Sequence, residues 1–329
     1  MKIWFSPYQL TPRGPLNSKV KEKFRKGSLL RIRFDNGAVG YADVCPFSEM
    51  GDRPLEFELK HIATAKPSNL GARSLFYAQA DAEARSQNKS LYDRTVKIKN
   101  HFLIYNIDRF DLDRVEKIEA AGFTEFKIKM GRDLTYETEQ VEKLSNRLSS
   151  RSRLRLDFNA IFSRDRFVDW FDKNQKWLRP FLEFIEDPFT YDAKEWREVS
   201  EKWNVTFALD RAADPLTTSA VGAGVIIIKP AIQVPEKIIE KFLNSNKKFV
   251  FTHHMDFALG QMAALFSAQS LYHDAKEQIL QCGLQHHDIY ENTAFQEAIK
   301  LDGPYILPPD GFGLGFDKLL ENQSWHELK

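Results

Sequence analysis

The sequence predicts an α/β fold, a modified TIM barrel of the (β/α)7β type with an α+β capping domain. Three observations predict it. Strand-like and helix-like segments alternate between residues 101 and 282, a β-hairpin signal precedes them, and the alternation is absent from the C-terminal tail. We therefore expect the N-terminal part of the cap over residues 1–98, the barrel over 99–284, and a tail over 285–329 that returns to the cap.

The N-terminal region combines strand and helix signals. Residues 29–34 and 38–42 are apolar runs on either side of Asp35-Asn36-Gly37, a sequence typical of a tight hairpin turn. Residues 55–90 carry helical patterns. The basic stretch 18–26 is typical of a solvated edge or loop, which we favour over a grip on phosphate or carboxylate. These signals predict a sheet covered by helices.

The barrel region reads as regular units in chain order. We predict strands at 101–105, 124–130, 153–158, 181–186, 205–210, 224–229, 248–253 and 279–282. We predict helices at 111–121, 135–149, 164–177, 192–203, 235–244 and 257–271. Eight strands are the number that closes such a barrel, and parallel strands of this kind are buried on both faces.

Composition narrows the class of protein. The 329 residues are 43% hydrophobic and carry a net charge of +1, which favours neither nucleic acid nor an acidic membrane surface as a partner. The cysteines, Cys45 and Cys282, lie far apart and indicate neither a disulfide framework nor a cysteine zinc site. No apolar run has the ~20 residues of a membrane span. We expect a cytoplasmic protein whose oligomeric state is open, a monomer being compatible with the sequence.

Charged residues at the ends of predicted barrel strands require an explanation. In the strand 126–130, Lys127 and Lys129 share the face opposite the apolar residues. A lone Lys-x-Lys usually faces water, but inside a barrel two ammonium groups are costly unless acids face them. Four following strands end in such groups, each about one β/α unit further on: Asp157, Glu186, Asp210 and Lys229.

This ordered series favours a site at the C-terminal mouth, where barrels of this type carry their chemistry. One such acid alone would be a helix cap or a surface ion pair. Three carboxylates that converge repel one another and favour a cation. An all-oxygen set favours Mg²⁺ over zinc, with Mn²⁺ as a possible substitute. Lys127 and the metal would favour the neutral form of Lys129, which makes Lys129 a candidate base.

The series resembles the enolase superfamily, and within it the muconate-lactonising-type subgroup, most of all the o-succinylbenzoate synthase family. The similar stretches span nearly the whole chain: 29–32, 40–47, 126–129, 156–159, 184–188, 227–230 and 313–316. The resemblance implies a role for each residue of the series. Asp157, Glu186 and Asp210 would be metal ligands, Lys129 the acid/base, Lys127 its electrostatic partner, Lys229 a cation on the other face of the substrate, and Asn159 a support near the metal.

The resemblance also implies an activity. The favoured reaction is Mg²⁺-dependent syn dehydration of 2-succinyl-6-hydroxy-2,4-cyclohexadiene-1-carboxylate to o-succinylbenzoate, in menaquinone biosynthesis. A racemase of N-acylamino acids or an epimerase of dipeptides is an alternative, because a lysine on each face suits both chemistries. An alternative of another class is a non-catalytic barrel that binds a carboxylate ligand or a protein partner. The expected partner is a small-molecule carboxylate substrate, with neither nucleic acid nor membrane involved.

Two departures from the family pattern bear on the substrate. Arg211 follows Asp210 where the family often has glutamate, which changes the charge beside the metal. The seventh strand ends in Thr252-His253-His254-Met255 rather than in small hydroxyl residues, and we expect Thr252, His253 and Met255 to contact substrate. A histidine that acts as the base would pair with an acid on the preceding strand. That strand carries Lys229 instead, so a histidine base is disfavoured. Residues 286–288 read as a turn or an interface.

Overall fold

The computed structural model describes residues 1–14, 16, 24–285 and 289–329. Residues 18–23 of the basic stretch and the predicted turn at 286–288 lie outside the described residues. Among the described residues, no helix is both long enough and apolar enough to cross a membrane.

The N-terminal part of the cap is an antiparallel sheet covered by two helices. Its elements are β1 (Lys2–Leu10), β2 (Arg25–Arg33), β3 (Val39–Val44), α1 (Leu55–Ala63) and α2 (Asn69–Ser86). The predicted hairpin joins β2 to β3, and Gly37 occupies its turn with a φ of +84°. Helix α2 lies directly on β3. A Cβ placed on Gly40 would come within 1.9 Å of the Ala78 carbonyl oxygen, so the absence of a side chain there permits the contact.

The barrel contains seven parallel strands that neighbour one another in sequence order. Its elements are β4 (Phe102–Ile104), α3 (Val115–Ala120), β5 (Glu125–Lys129), α4 (Leu134–Ser145), β6 (Arg153–Asp157), α5 (Arg164–Leu178), β7 (Leu182–Glu186), α6 (Ala193–Trp203), β8 (Phe207–Leu209), β9 (Ala223–Ile228), α7 (Pro235–Phe242), β10 (Lys248–Phe251), α8 (Ala258–Ser270) and α9 (Tyr272–Ala275). Short 3-10 helices occur at Ser48–Met50, Ile107–Arg109 and Leu112–Arg114. The predicted fold class is confirmed. The largest difference lies before α3, where two 3-10 turns stand in the loop between β4 and the helix.

The segment 279–283 completes the barrel between β10 and β4. Gly283 bridges to Thr252 beyond β10, and Cys282 bridges to Asn100 just before β4. The Cys282 carbonyl accepts a hydrogen bond from the His101 N–H at 2.8 Å. The predicted eighth strand is therefore present as single backbone bridges rather than as a long ladder.

The C-terminal tail contains α10 (Ala294–Ala298), β11 (Lys300–Asp302), β12 (Tyr305–Leu307), α11 (Asp317–Glu321) and β13 (His326–Glu327). Strand β13 pairs with β1, and the Leu328 N–H donates to the Ile3 carbonyl at 2.9 Å. On α2, the buried carboxylate of Asp81 accepts the Leu314 N–H at 2.6 Å. The tail thus contacts the N-terminal sheet, while the residue boundaries between domains stay a prediction.

The strand register sets the heights of the charged residues. Lys129 pairs with Asp157 across β5 and β6, and Asp157 pairs with Glu186 across β6 and β7. Glu186 in turn pairs with Ala208, so Asp210 lies two residues further along its strand. Barrel strands are staggered in this way because they tilt around the axis. All these residues lie at the C-terminal ends of the strands, beneath residues 47–50 of the cap.

Candidate active site

One pocket at this mouth brings together every residue that the sequence predicts for the site. Its lining includes Lys127, Lys129, Asp157, Asn159, Glu186, Asp210, Lys229, Thr252, His253 and Met255. The cap contributes Phe47 and Met50, and the barrel also contributes His101, Leu103, Arg211, His254 and Gly283. The geometry gathers the predicted residues; the role of each remains to be argued.

Lys127 lies between two of the carboxylates. Its Nζ is 2.7 Å from Oε1 and 2.6 Å from Oε2 of Glu186, and 3.2 Å from Oδ2 of Asp157. Lys127 is 7% exposed and Glu186 only 1%. Burial alone would lower the pKa of Lys127, but the carboxylates of Asp157 and Glu186 outweigh it and raise that pKa above its ordinary value. Lys127 is therefore a fixed cation.

The three acids respond differently to the same surroundings. Burial, together with the charge of Asp157, raises the pKa of Glu186 to about 8. Burial would also raise the pKa of Asp157, but Lys127 and Lys129 outweigh it and hold that pKa well below its usual range. For Asp210, Lys229 outweighs burial in the same way and lowers the pKa. The mouth is thus an acid cluster whose ionised form depends on nearby positive charge.

Lys129 and Asn159 converge on Asp157. The Nζ of Lys129 is 3.1 Å from Oδ2 of Asp157. Asn159 donates to the other oxygen, Oδ1, from its side-chain amide at 3.0 Å and from its backbone N–H at 3.2 Å. Asn159 has a φ of +49°, a conformation that asparagine tolerates better than most residues. The structure thus places Asn159 beside Asp157, one of the predicted metal ligands.

Lys229 and Asp210 form an ion pair on the opposite side of the pocket. Four strand positions separate β5 from β9 in either direction around the closed barrel, so Lys129 and Lys229 face each other across it. Burial lowers the pKa of Lys229, and the neighbouring Asp210 opposes that effect.

Asp187 fixes the backbone that carries Asp210. Its carboxylate accepts the N–H groups of Asp210, Arg211 and Ala212 at 3.0, 2.8 and 3.1 Å. In the sequence, Asp187 stood only within the family-like stretch 184–188 and had no role of its own. The acid instead lies 4% exposed with a φ of +40°, an orientation that no strand periodicity reveals.

The carboxylate oxygens in the pocket are the type of ligand that suits a hard divalent cation. Asp157, Glu186 and Asp210 end neighbouring strands and offer carboxylate oxygens, the ligands that Mg²⁺ prefers. One ammonium group, that of Lys127, already bridges two of them, which shows that Asp157 and Glu186 can share a cation. Each acid is turned towards a lysine, and within the described residues no three acid, histidine or cysteine side chains are gathered ready to hold a metal. A metal here competes with the lysines for the same oxygens.

The residues predicted to contact substrate lie on one wall of the pocket. The Thr252 hydroxyl is buried and has no hydrogen-bond partner within the described part of the chain. A buried hydroxyl without a partner is costly, and a ligand that bonds to it removes that cost. His253 accepts the Met255 N–H at Nδ1 at 2.8 Å, which shapes the turn in which Met255 has a φ of +53°.

Sequence reasoning missed two groups of the pocket. His101 is buried beneath the lysines, and its Nδ1 lies 2.9 Å from Nη1 of Arg155. Because arginine only donates, Nδ1 accepts, and burial holds the pKa of His101 well below its ordinary value. The second group joins Arg211 and His254 to Asp52 of the cap. The unusual Arg211 was noticed in the sequence, but its partners lie far from it along the chain.

Comparison with known proteins agrees with this architecture. Residues 3–84 match the model of the o-succinylbenzoate synthase N-terminal domain, and residues 111–218 match the enolase C-terminal domain-like model. An o-succinylbenzoate synthase of Bdellovibrio bacteriovorus is 32% identical over 100% of this chain and 99% of its own length.

Solved structures share the fold at lower identity. The L-Ala-D/L-Glu epimerase of Bacillus subtilis has a TM-score of 0.74 and 19% identity, covering 96% of this chain and 98% of its own. A dipeptide epimerase of Enterococcus faecalis, solved with Mg and a dipeptide, has a TM-score of 0.74 and 16% identity, with coverages of 95% and 98%. The muconate lactonizing enzyme of Pseudomonas fluorescens has a TM-score of 0.74 and 12% identity, covering 98% of each chain. The chain belongs to the o-succinylbenzoate synthase family of lyases, in the enolase superfamily.

Proposed function

We propose that this enzyme is an o-succinylbenzoate synthase that uses Mg²⁺ to dehydrate 2-succinyl-6-hydroxy-2,4-cyclohexadiene-1-carboxylate. The observation that carries the proposal is the placement of Lys129 and Lys229 on opposite sides of one pocket, with Asp157, Glu186 and Asp210 on the strands between them. The full-length similarity to a relative of that name supports the choice of substrate.

Lys129 performs both proton transfers in this proposal. As a neutral amine it takes the proton from C1, the carbon that bears the carboxylate, and the electron pair becomes the C1–C6 double bond. The C6–oxygen bond breaks, and the same lysine returns the proton to the departing hydroxyl, so water leaves and the ring becomes aromatic. One acid/base on one face makes the elimination syn, and Lys129 ends in its starting state.

Lys229 stabilises charge without exchanging protons. It lies across the pocket from Lys129, where its ammonium faces the electron-rich enediolate from the other side. Lys127 stays cationic through Glu186 and Asp157 and places a fixed positive charge two residues before Lys129 on the same strand.

Asp157, Glu186 and Asp210 would hold the Mg²⁺. When bound, the ion stabilises the second negative charge that forms on the substrate carboxylate. The charges support this assignment. With Lys129 neutral, the cations Lys127 and Lys229 and a divalent ion outweigh the three carboxylates by one positive charge, which attracts a substrate that carries carboxylates. Mn²⁺ has the same preference for oxygen ligands and serves as the expected substitute.

Assays on two substrate classes test the proposal. The purified protein, with and without EDTA, is given the cyclohexadiene substrate, and formation of o-succinylbenzoate is followed. N-acylamino acids and dipeptides are given in parallel in D₂O to detect racemisation or epimerisation. Metal-dependent dehydration supports the synthase and its place in the menaquinone pathway. Exchange at amino-acid carbons without dehydration would move the activity to a racemase or epimerase with the same lysines. No reaction on either class would favour a barrel that only binds carboxylates.

A further inference from the structure

We propose that Arg211 is a positioning residue that clamps residues 47–52 of the cap over the barrel mouth, acting through His254 and Asp52. The clamp fixes the pocket wall formed by Phe47 and Met50, and so sets how tightly substrate is held. This inference rests on the proposed function only in taking the pocket to be the substrate site.

The contacts alternate between barrel and cap. Arg211 follows β8, and its guanidinium donates through Nη1 to the Met50 carbonyl of the cap and through Nη2 to Nδ1 of His254, at 3.2 Å. His254 lies beyond β10, and its Nε2 is 2.6 Å from Oδ2 of Asp52. The same carboxylate oxygen accepts the Phe47 N–H at 2.7 Å. Two barrel strand ends and both ends of the cap segment are thereby joined.

The hydrogen-bond roles in this chain are fixed by chemistry. A guanidinium has no acceptor, so Nδ1 of His254 must accept and Nε2 must carry the hydrogen given to Asp52. The ring is therefore neutral in the assembled clamp. His254 is 1% exposed, and burial accordingly lowers its pKa to about 4.

The base of the clamp is rigid. The Asp187 carboxylate holds the backbone N–H of Arg211, so the arginine projects from an anchored strand end rather than from a loose loop. On the cap side, Met50 ends a single 3-10 turn, and Gly51 reverses the chain with a φ of +102°. Binding of the Met50 carbonyl therefore fixes the whole turn.

A second arginine holds the other end of the same cap segment. Arg25, 2% exposed, donates to the carbonyls of Cys45 and Pro46 at 2.9 and 3.0 Å. It also donates to the His254 carbonyl at 3.1 Å. The guanidinium carbon lies 4.1 Å from the centre of the Phe47 ring. The cap segment is tied to the His254 segment at both ends, and Arg211 provides the tie that reaches the pocket.

An alternative role for Arg211 is direct binding of a substrate carboxylate. The two roles differ in how they depend on neighbours. A clamp needs His254 and Asp52, whereas a direct contact needs only the arginine. They also differ in how lysine would perform, since lysine keeps the charge but cannot bond Met50 and His254 together with one planar group.

The test compares Arg211→Ala, Arg211→Lys, His254→Gln and Asp52→Asn with wild type, with Arg164→Ala on the exposed face of α5 as the matched arginine control. If Arg211 is a clamp, KM for the dehydration substrate rises at least about tenfold in Arg211→Ala, Arg211→Lys and Asp52→Asn, and kcat changes by less than about threefold. The KM of the Arg211→Ala/Asp52→Asn double variant is then no higher than that of the more impaired single variant, because both changes break the same chain of contacts. His254→Gln keeps a donor and an acceptor, so its KM should lie between the KM of wild type and that of Asp52→Asn.

Hydrogen–deuterium exchange provides a readout that does not require the proposed reaction. Peptides covering residues 47–53 should exchange faster in Arg211→Ala and Arg211→Lys than in wild type or Arg164→Ala, while the barrel strands stay protected. Unchanged exchange there would overturn the clamp even if the enzyme proves to be a racemase. A raised KM in Arg211→Ala with wild-type KM in both Arg211→Lys and Asp52→Asn would also overturn it and assign a direct charge contact.

Discussion

At the scale of single residues, the pocket is governed by which cation each carboxylate faces. Glu186 has both oxygens on Lys127, Asp157 is shared by two lysines, and Asp210 pairs with Lys229. A change at one member of such a buried pair leaves the partner without compensation, so substitutions here should cost stability as well as function, and each variant needs a check of its fold.

The two facing lysines should fail in different ways when removed. Lys129→Ala should abolish dehydration, with a loss greater than the ~10²–10⁴-fold typical of one general acid or base, because the group serves twice. Lys229→Ala should slow turnover while leaving proton removal possible. Steady-state rates, together with exchange of the C1 proton in D₂O, measure both. Robust dehydration by Lys129→Ala would remove it from the mechanism.

Metal affinity should depend on the strand-end acids. Asp157→Asn and Glu186→Gln each delete one charged oxygen donor, so Mg²⁺ should bind at least about tenfold more weakly than to wild type. Isothermal titration of the three proteins measures this, with Asp165→Asn, an exposed acid on α5, as control. Equal affinity in all four proteins would place the metal elsewhere.

His254 should make stability depend on pH in a defined window. Burial lowers its pKa from 6.5 in the unfolded chain to about 4 in the fold; Asp52 opposes this shift, and Arg211 and Arg25 add to it. The unfolded chain thus binds one more proton between these values, so the contribution is complete above pH 6.5 and is lost as pH falls towards 4. Relative to His254→Gln, wild type should lose about 1.4 kcal/mol per pH unit there. Urea denaturation measures the unfolding free energy of both proteins from pH 4 to 7. The same change of that free energy with pH in both proteins would contradict this.

Residue patterns predicted the lysine–acid series because barrel geometry sends every strand end to one mouth. They did not predict the partners of those residues. Arg211 meets Met50, and His254 meets Asp52, across about 160 and 200 positions of chain, a pairing that no local period encodes. The stabilising role of Asp187 was hidden for another reason, since a left-handed backbone turn redirects its side chain inward.

At the scale of elements, β3 and α2 lie in close contact at Gly40. The Gly40→Ala variant would bring a Cβ within 1.9 Å of the Ala78 carbonyl, and backbone cannot swing aside as a flexible side chain can. We expect a loss of about 1–3 kcal/mol in unfolding free energy. Gly14→Ala, whose Cβ would sit at an ordinary 3.5 Å from Tyr105, is the control. Equal melting temperatures would show that α2 shifts without cost.

The elements themselves were largely predictable from periodicity and turn residues, because buried parallel strands read as short apolar runs. The eighth strand was the weakest of them. Segment 279–283 makes single bridges to both neighbours, so its place is set by those neighbours more than by its own sequence. The hairpin of β11 and β12 was not predicted, because strands of three residues are too short to show a reliable periodic pattern.

At the scale of the whole molecule, the tail is the element that links the two ends of the chain. If β13 and the loop around Leu314 hold it to the N-terminal sheet, trypsin should cut at Lys318 far more slowly in the native protein than in urea. Mass spectrometry of timed digests measures this. Release of residues 319–329 from native protein at the unfolded rate would show that the tail does not close the cap.

The pairing of β13 with β1 has a consequence for synthesis on the ribosome. Trp4 and Glu327 become neighbours only after Glu327 has been translated, and the barrel closes only when residues 279–283 have emerged. Contacts so distant in sequence make folding slow, and until they form, the nascent chain presents an unpaired edge on both the cap sheet and the barrel sheet. Both sheets should therefore be completed late, with the growing chain a client for chaperones that cover exposed strands.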